Sequence, residues 1–432
     1  MSSRRFDPSF YRDPRPSPAL IRALGPLNRH LVLRGLLGLE DIDFPAADVE
    51  RLRSAVNPGT AAFLGPNHPE FFTDWMLDKE VSRRVSPLMA HWAAYDIVNM
   101  NPVAQWFWLR NNLIANAPGG GGKEYSVRWA IAGHGVLLHP EGGATWQGDR
   151  VSPLVPGIVD MAWQCRHAID TTKPPRPVFV VPVVWKLHFA RDVGAGLNRE
   201  MSGIERALAL PAGTGLEVGR RFAALQRNLL VRQCKRFRFT GVSPDLAEPA
   251  YFEAQARFAS FLRADLEGRY GEVTAEGWRM LHLLRRAIHA RAEEDPERAR
   301  DDRRRIEELT RLIAFDPALY DRAALTQEQI AENLKRTRAS LMRHGAANAL
   351  HNLIPVAVGP RVAHIRVPAP FAVHEADETP NDETARAAFL AGLRRRMQES
   401  LDLMRREVAD AVAPHARPNP LHSGAGPGNP AS

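Results

Sequence analysis

The hydrophobic pattern changes character along the chain. Leu20, Ile21, Leu24, Leu27 and Leu31 recur at near-helical spacing, and Val49, Leu52 and Val56 form a second short face, so residues 1–57 read as a helical lead-in. From 58 to about 190, short apolar runs (Ala61–Leu64, Gly135–Leu138, Val178–Val184) alternate with helical stretches at 70–84 and 152–169. Apolar runs of that length between helices predict strands covered on both faces. Residues 58–198 are therefore expected to form the first part of an α/β domain with a largely parallel sheet flanked by helices.

Strand signals then stop. Tyr251, Phe258 and Leu262, then Leu281, Leu284 and Ile288, then Ile306, Leu309 and Ile313 mark successive helices, and Thr326 with Gln329 predicts a capping box opening a helix with Ile330, Leu334 and Leu341. Residues 199–355 read as an all-helical insertion, with the Glu/Arg-rich stretch 293–308 as a solvated face. Val362–Val367 then reads as a strand, and Phe389, Leu393, Met397, Leu401, Met404 and Val408 as a long closing helix. Residues 356–412 are expected to return to the α/β domain. The Gly/Pro/Ser-rich segment 413–432 is expected to be a disordered tail.

Length supports this division: 432 residues exceed the roughly 250–300 at which single cores stop growing. Two cysteines, Cys165 and Cys234, exclude a disulfide framework or a Cys-rich zinc site. No apolar segment follows Arg4 and Arg5 as a secretory signal would require, and none approaches the roughly 18–20 residues of a spanning helix; a cytoplasmic protein is expected. A net charge of +8 favours anionic partners without choosing among phosphorylated substrates, coenzyme A, acidic lipid and nucleic acid.

Chemistry concentrates at strand ends. The run Phe63-Leu64-Gly65-Pro66 leads into Asn67-His68, and Asp74 follows six residues after the histidine. An imidazole there is exposed at the carboxyl edge of an open sheet, where such folds build their sites, and Asp74 can reach back to fix its tautomer. A helix cap is the plainer reading. Gly135-Val136-Leu137-Leu138-His139-Pro140-Glu141-Gly142-Gly143 is a second strand-to-turn segment, delivering a carboxylate and two glycines. Val181-Pro182-Val183 interrupts a third strand with proline, by itself an edge or bulge device.

Taken in order, these segments resemble the 1-acylglycerol-3-phosphate acyltransferase family, within the glycerolipid acyltransferase superfamily. The resemblance spans about 63–187. Asn67-His68…Asp74 is similar to the family's His-x4-Asp block, Phe107 and Arg110 to its Gly-x-x-Phe-x-x-Arg block, Pro140-Glu141-Gly142 to its Pro-Glu-Gly block, and Val181-Pro182-Val183 to its Val-Pro-Val block. Two departures stand out. Five residues separate His68 from Asp74, and Gly143-Ala144 replaces the Thr-Arg whose arginine holds the acceptor's phosphate in the family. Arg110, Arg150 or Lys123 can substitute, or the acceptor carries no phosphate.

The resemblance implies O-acyl transfer, with acyl-CoA or acyl-carrier protein as donor co-substrate and a glycerolipid-like hydroxyl as acceptor. His68 and Asp74 would be catalytic, and Asn67, Phe107, Arg110, Glu141, Gly142 and Pro182 would bind substrate. It implies a role in phospholipid biosynthesis, peripheral attachment to an anionic membrane surface, no permanently bound cofactor and no nucleic-acid partner. The alternative is a catalytically silent lipid- or acyl-carrier-binding protein on the same fold. Asp78, one helical turn past Asp74, is expected to be a bystander.

Three further features bear on function. Gly119–Gly122 with Lys123 lacks the first glycine and the Ser/Thr of a P-loop, since Ala117 and Glu124 stand there. No His-Glu-x-x-His spacing joins His68, Glu70, His134, His139 and Glu141, so no metal site is expected. Residues 216–240 combine Arg220, Arg221, Arg227, Arg232, Lys235, Arg236 and Arg238 with Phe222, Leu225, Leu229 and Leu230, which suits a membrane-surface helix or a core helix with a charged back.

Overall fold

The computed structural model describes residues 11–117, 119–170, 176–275, 277–342, 358–373 and 382–424. The start of the lead-in, the end of the expected insertion and tail residues 425–432 lie outside the described residues. In chain order the strands are β1 (Leu39–Asp43), β2 (Ala61–Pro66), β3 (Ala90–Ala94), β4 (Leu113–Asn116), β5 (Val136–Leu137), β6 (Val178–Phe189), β7 (Ala324–Leu325), β8 (Arg361–Arg366), β9 (Phe371–Val373) and β10 (Arg417–Pro418).

The chain divides into two compact units. One comprises Met1–Thr145, Arg150–Leu187 and Arg361–Glu407; the other comprises Trp146–Asp149, His188–Pro360 and Val408–Ser432. The first is mixed α/β, built on an eight-stranded sheet in the order β1-β8-β6-β2-β5-β3-β4, with β9 paired to β6. The pairs β1–β8, β2–β5, β2–β6, β3–β4 and β3–β5 are parallel, and β6–β9 is antiparallel.

The pleat explains why β2 and β6 are apolar throughout. Ala61, Phe63, Val180 and Val184 join one buried cluster, with Trp163, Leu393, Met397 and Leu401 of the covering helices. Ala62, Leu64, Val181 and Trp185 join the cluster on the other face, with Leu77 and Val81. Side chains two residues apart share a face, so a strand covered on both sides carries apolar residues at every position. Truncating one of the covering helix side chains, Leu401→Ala for instance, costs about 2–5 kcal/mol.

Several expectations need correction. The lead-in is not purely helical: β1 pairs in parallel with β8, Leu39 against Arg361 and Asp43 against His364, and so extends the sheet. Its sequence, LEDID, is too polar to announce a strand; pairing outweighs propensity there. The first unit ends within β6, at Leu187 rather than 198, and Val408 belongs to the second unit. The tail is not structureless up to 424. Arg417–Pro418 pairs antiparallel with β7, and Asn419 and Leu421 are buried.

The second unit is mostly helical, with Gly194–Ala207, Val218–Arg236, Tyr251–Tyr270, Gly277–Ala290, Pro296–Ala314 and Gln327–Leu341 its longer helices. Thr326 and Gln329 form the reciprocal capping box. Helix Val218–Arg236 is a core helix. Phe222, Leu225, Leu229 and Leu230 are buried, and the Arg221 guanidinium holds Glu205 at 3.0 and 2.6 Å. Its apolar face is not free for lipid. The stretch 293–308 is not wholly solvated either: Asp302 is inaccessible and bonded to Arg269 and the Tyr270 hydroxyl, and Glu308 is buried against Arg311.

Candidate active site

The site forms where β2 and β5 end. These parallel neighbours are in register, Phe63 against Val136 and Leu64 against Leu137, so the turns that follow them emerge side by side. One turn carries His68 and the other His139. Their rings stack, centroids 4.0 Å apart and 17° from coplanar. Helix Phe72–Val85, which follows the first turn, supplies Asp74 from its first turn and Asp78 one turn later. Residues four apart on a helix share a face, and here two acids meet two stacked imidazoles.

His68 Nδ1 is hydrogen-bonded to Asp74 Oδ2. The Glu70 N–H donates to both Asp74 oxygens, at 3.0 and 3.2 Å, which orients the carboxylate. Among the described residues nothing takes His68 Nε2, the nitrogen available to a substrate. Burial, and then the charge on His139, hold His68 well below the usual imidazole range. Burial, with Asp78 and Glu70 nearby, pushes Asp74 well above the usual carboxylate range, while the Glu70 N–H acts against this. The buried pair resists a second proton, so His68 rests uncharged, the form a general base needs.

His139 has partners on both sides: Nδ1 lies 3.0 Å from the Asn67 carbonyl and Nε2 2.9 Å from Asp78 Oδ2. Burial works against its protonation, but Asp78 and these hydrogen bonds raise it above the ordinary value. Asp78, 2% exposed, is therefore no bystander. His68, Asp74 and His139 also bring potential ligand atoms within 4.8 Å of one another, a grouping the spacing rules did not anticipate. His68 Nδ1 is engaged with Asp74 and both His139 nitrogens are hydrogen-bonded, so an ion held by all three residues would displace at least one His139 bond.

The other expected site residues are placed as follows. Asn67 is 1% exposed and clamps β6, its amide donating to Trp185 O and accepting from Trp185 N–H, both at 2.9 Å. It acts as a strut between this turn and β6. Glu141 accepts from the His68 N–H and the Ser152 N–H, both at 2.6 Å, and so staples the His68 main chain to the loop ahead of helix Gly157–Asp170. The Gly142 N–H is spent on the His139 carbonyl at 3.1 Å, in a turn where φ is +76°. Pro182 is buried within β6 opposite Gly65. Phe107 and Arg110 sit on helix Pro102–Arg110, where their described ring contacts are to Trp108 and Trp106 and none joins them to His68.

Spacing alone missed Arg361. It is 3% exposed on β8, and its Nη1 donates to both Glu70 oxygens at 2.7 and 2.9 Å, bracing the turn that holds His68. The two residues lie 291 positions apart, so no local signal existed. Compared with protein-family models and with curated proteins, the chain matches none.

Proposed function

We propose that the protein is an O-acyltransferase, moving an acyl chain from acyl-CoA or acyl-carrier protein to a hydroxyl of a glycerolipid-like acceptor on an acyltransferase-type fold. The observation that carries this reading is the buried His68–Asp74 pair at the carboxyl edge of the sheet, with His68 Nε2 unengaged. A hydroxyl is too weak an acid to attack a thioester unaided near pH 7. His68 takes its proton while the oxygen bonds to the acyl carbon; Asp74 steadies the imidazolium formed. The tetrahedral oxyanion then collapses, the C–S bond breaks, and the proton passes from His68 to the departing sulfur. An oxyanion needs donors, and Gly143 N–H, in no described hydrogen bond, is the one we assign.

Two guanidiniums suit a phosphate on the acceptor. Burial, and then the charge of Arg150, make Arg394 less basic than usual, while Glu141 acts the other way. None of the described helices is long and apolar enough to cross a membrane, so the acceptor would be met at a surface. Exposed Met100, Val103 and Trp106 beside Arg110 suit that contact better than the core helix Val218–Arg236.

The test is thiol release from acyl-CoA and acyl-carrier protein with a panel of acceptors, phosphorylated and not. Turnover that needs an acceptor and disappears in His68→Ala supports the reading. Thioester bound but unconsumed with every acceptor would make the chain a silent binder instead.

A further inference from the structure

The hydrogen bonds of His139 do not depend on any substrate. The Asn67 carbonyl can only accept, so Nδ1 carries a proton, and Nε2 meets an Asp78 carboxyl oxygen, which favours a second proton there. This ring, whose cationic form Asp78 favours, lies flat on the ring of His68 at 4.0 Å. We propose that His139, held by Asp78, is a positioning residue for the acyl-transfer base: its plane fixes the plane of His68, and its charge keeps His68 from retaining a second proton. The catalytic consequence rests on the acyl-transfer reading; the coupling of the two rings does not.

Groups from every neighbouring element bear on this charge. Helix Phe72–Val85 brings Asp74, Asp78 and Lys79, β3 brings His91, and the two turns bring His68 and Glu141. Lys79 is pushed down to about 7 by burial, although Asp78 opposes this. His91 is lowered by burial and then by Lys79 and His139. Of these, Asp78 alone bonds directly to the His139 ring, so changing it should neutralise His139 most directly.

The benefit lies in the return of the proton. A base that keeps the acceptor's proton stalls, because the departing sulfur then leaves as an unprotonated thiolate. A cation stacked on His68 makes the imidazolium short-lived and also favours the negative charge developing on the reacting atoms. A stacked cation would therefore trade basicity for turnover and hold the resting ring in its base form at lower pH.

Histidine-labelled intact protein gives the first test. At pH 7 the nitrogen spectrum of His139 should show two protonated ring nitrogens, and that of His68 one protonated and one bare nitrogen. A bare nitrogen on His139 at pH 7 would overturn the proposal without any variant. In His139→Gln and Asp78→Asn, the His68 titration and the acid limb of kcat/KM should both move up by about one pH unit, the usual scale for losing a neighbouring charge. A purely structural role would lower the plateau and leave the limb in place, and that result would also overturn it. If the His68 titration shifts but no acceptor supports thioester turnover, the acyl-transfer reading fails while the coupling stands.

Discussion

The candidate site and the helical unit bury carboxylates in different company, although elsewhere in the sheet unit Glu80 is also buried against Arg83 and Arg84. In the helical unit, Glu205 faces Arg221, Glu308 faces Arg311 and Asp302 faces Arg269. In the sheet unit, Asp74 and Asp78 face imidazoles, and Glu141 faces main-chain N–H groups. A guanidinium is permanently charged, so an acid paired with it is committed to holding the fold. An imidazole changes charge near neutral pH, so an acid paired with it can take part in proton movement. Burial alone does not separate structural from chemical acids; the partner does.

The sharpest way to break that distinction is at the base. His68→Ala should lower kcat by about 10²- to 10⁴-fold with the fold retained, measured by thiol release and thermal unfolding. An equally large loss of stability with turnover unchanged per folded molecule would place His68 with the structural group. On the other side, Arg221→Ala strands a buried Glu205 and should cost about 3–5 kcal/mol in denaturant unfolding, with kcat of the folded fraction unchanged. A fall in kcat there would erase the contrast. Asp74→Asn should keep the geometry and remove the charge behind the imidazolium, lowering kcat by about 10²-fold while thioester binding holds.

Effects of pH are smaller and signed. His68 is lowered below 6.5, so kcat/KM should stay level through pH 6.5 and fall only beneath it. His139 is raised above 6.5, so its stabilisation is complete below the unfolded value and is lost as pH rises through the folded one. Thermal stability of the intact protein should decline across that window, and that of His139→Gln should not. The smallest effect concerns lipid: Arg232, Lys235 and Arg236 changed to Gln should leave binding to anionic vesicles nearly as it was, since the apolar face of their helix is buried. A large, salt-sensitive loss would restore that helix as a membrane contact.

What could be read in the sequence follows from the range of the interactions. The apolar runs of β2 and β6 and the six-residue reach from His68 to Asp74 are local, and both were legible. Asp78 was misread because its partner His139 arrives 61 positions later, in the turn after β5. β3, with HWAA in its sequence, and β4, LIAN, are too short for period-2 patterning to register. Residues 216–240 carry the same charges whether the helix lies on lipid or in a core, and only packing decides. Asn67 and Gly142 fit a family block by position, but their polar groups are used by the main chain around them.

The bidentate grip of Glu141 divides this loop into a fixed post and a free tip. Two residues on, a side chain added at Gly143 would meet nothing within 4 Å, and its backbone does not need a positive φ, unlike Gly142. For engineering, position 143 is therefore a dial set beside an anchored frame. A library randomised there, leaving out proline so that the N–H remains, can vary size, charge and polarity beside Glu141 without loosening the contacts that hold His68.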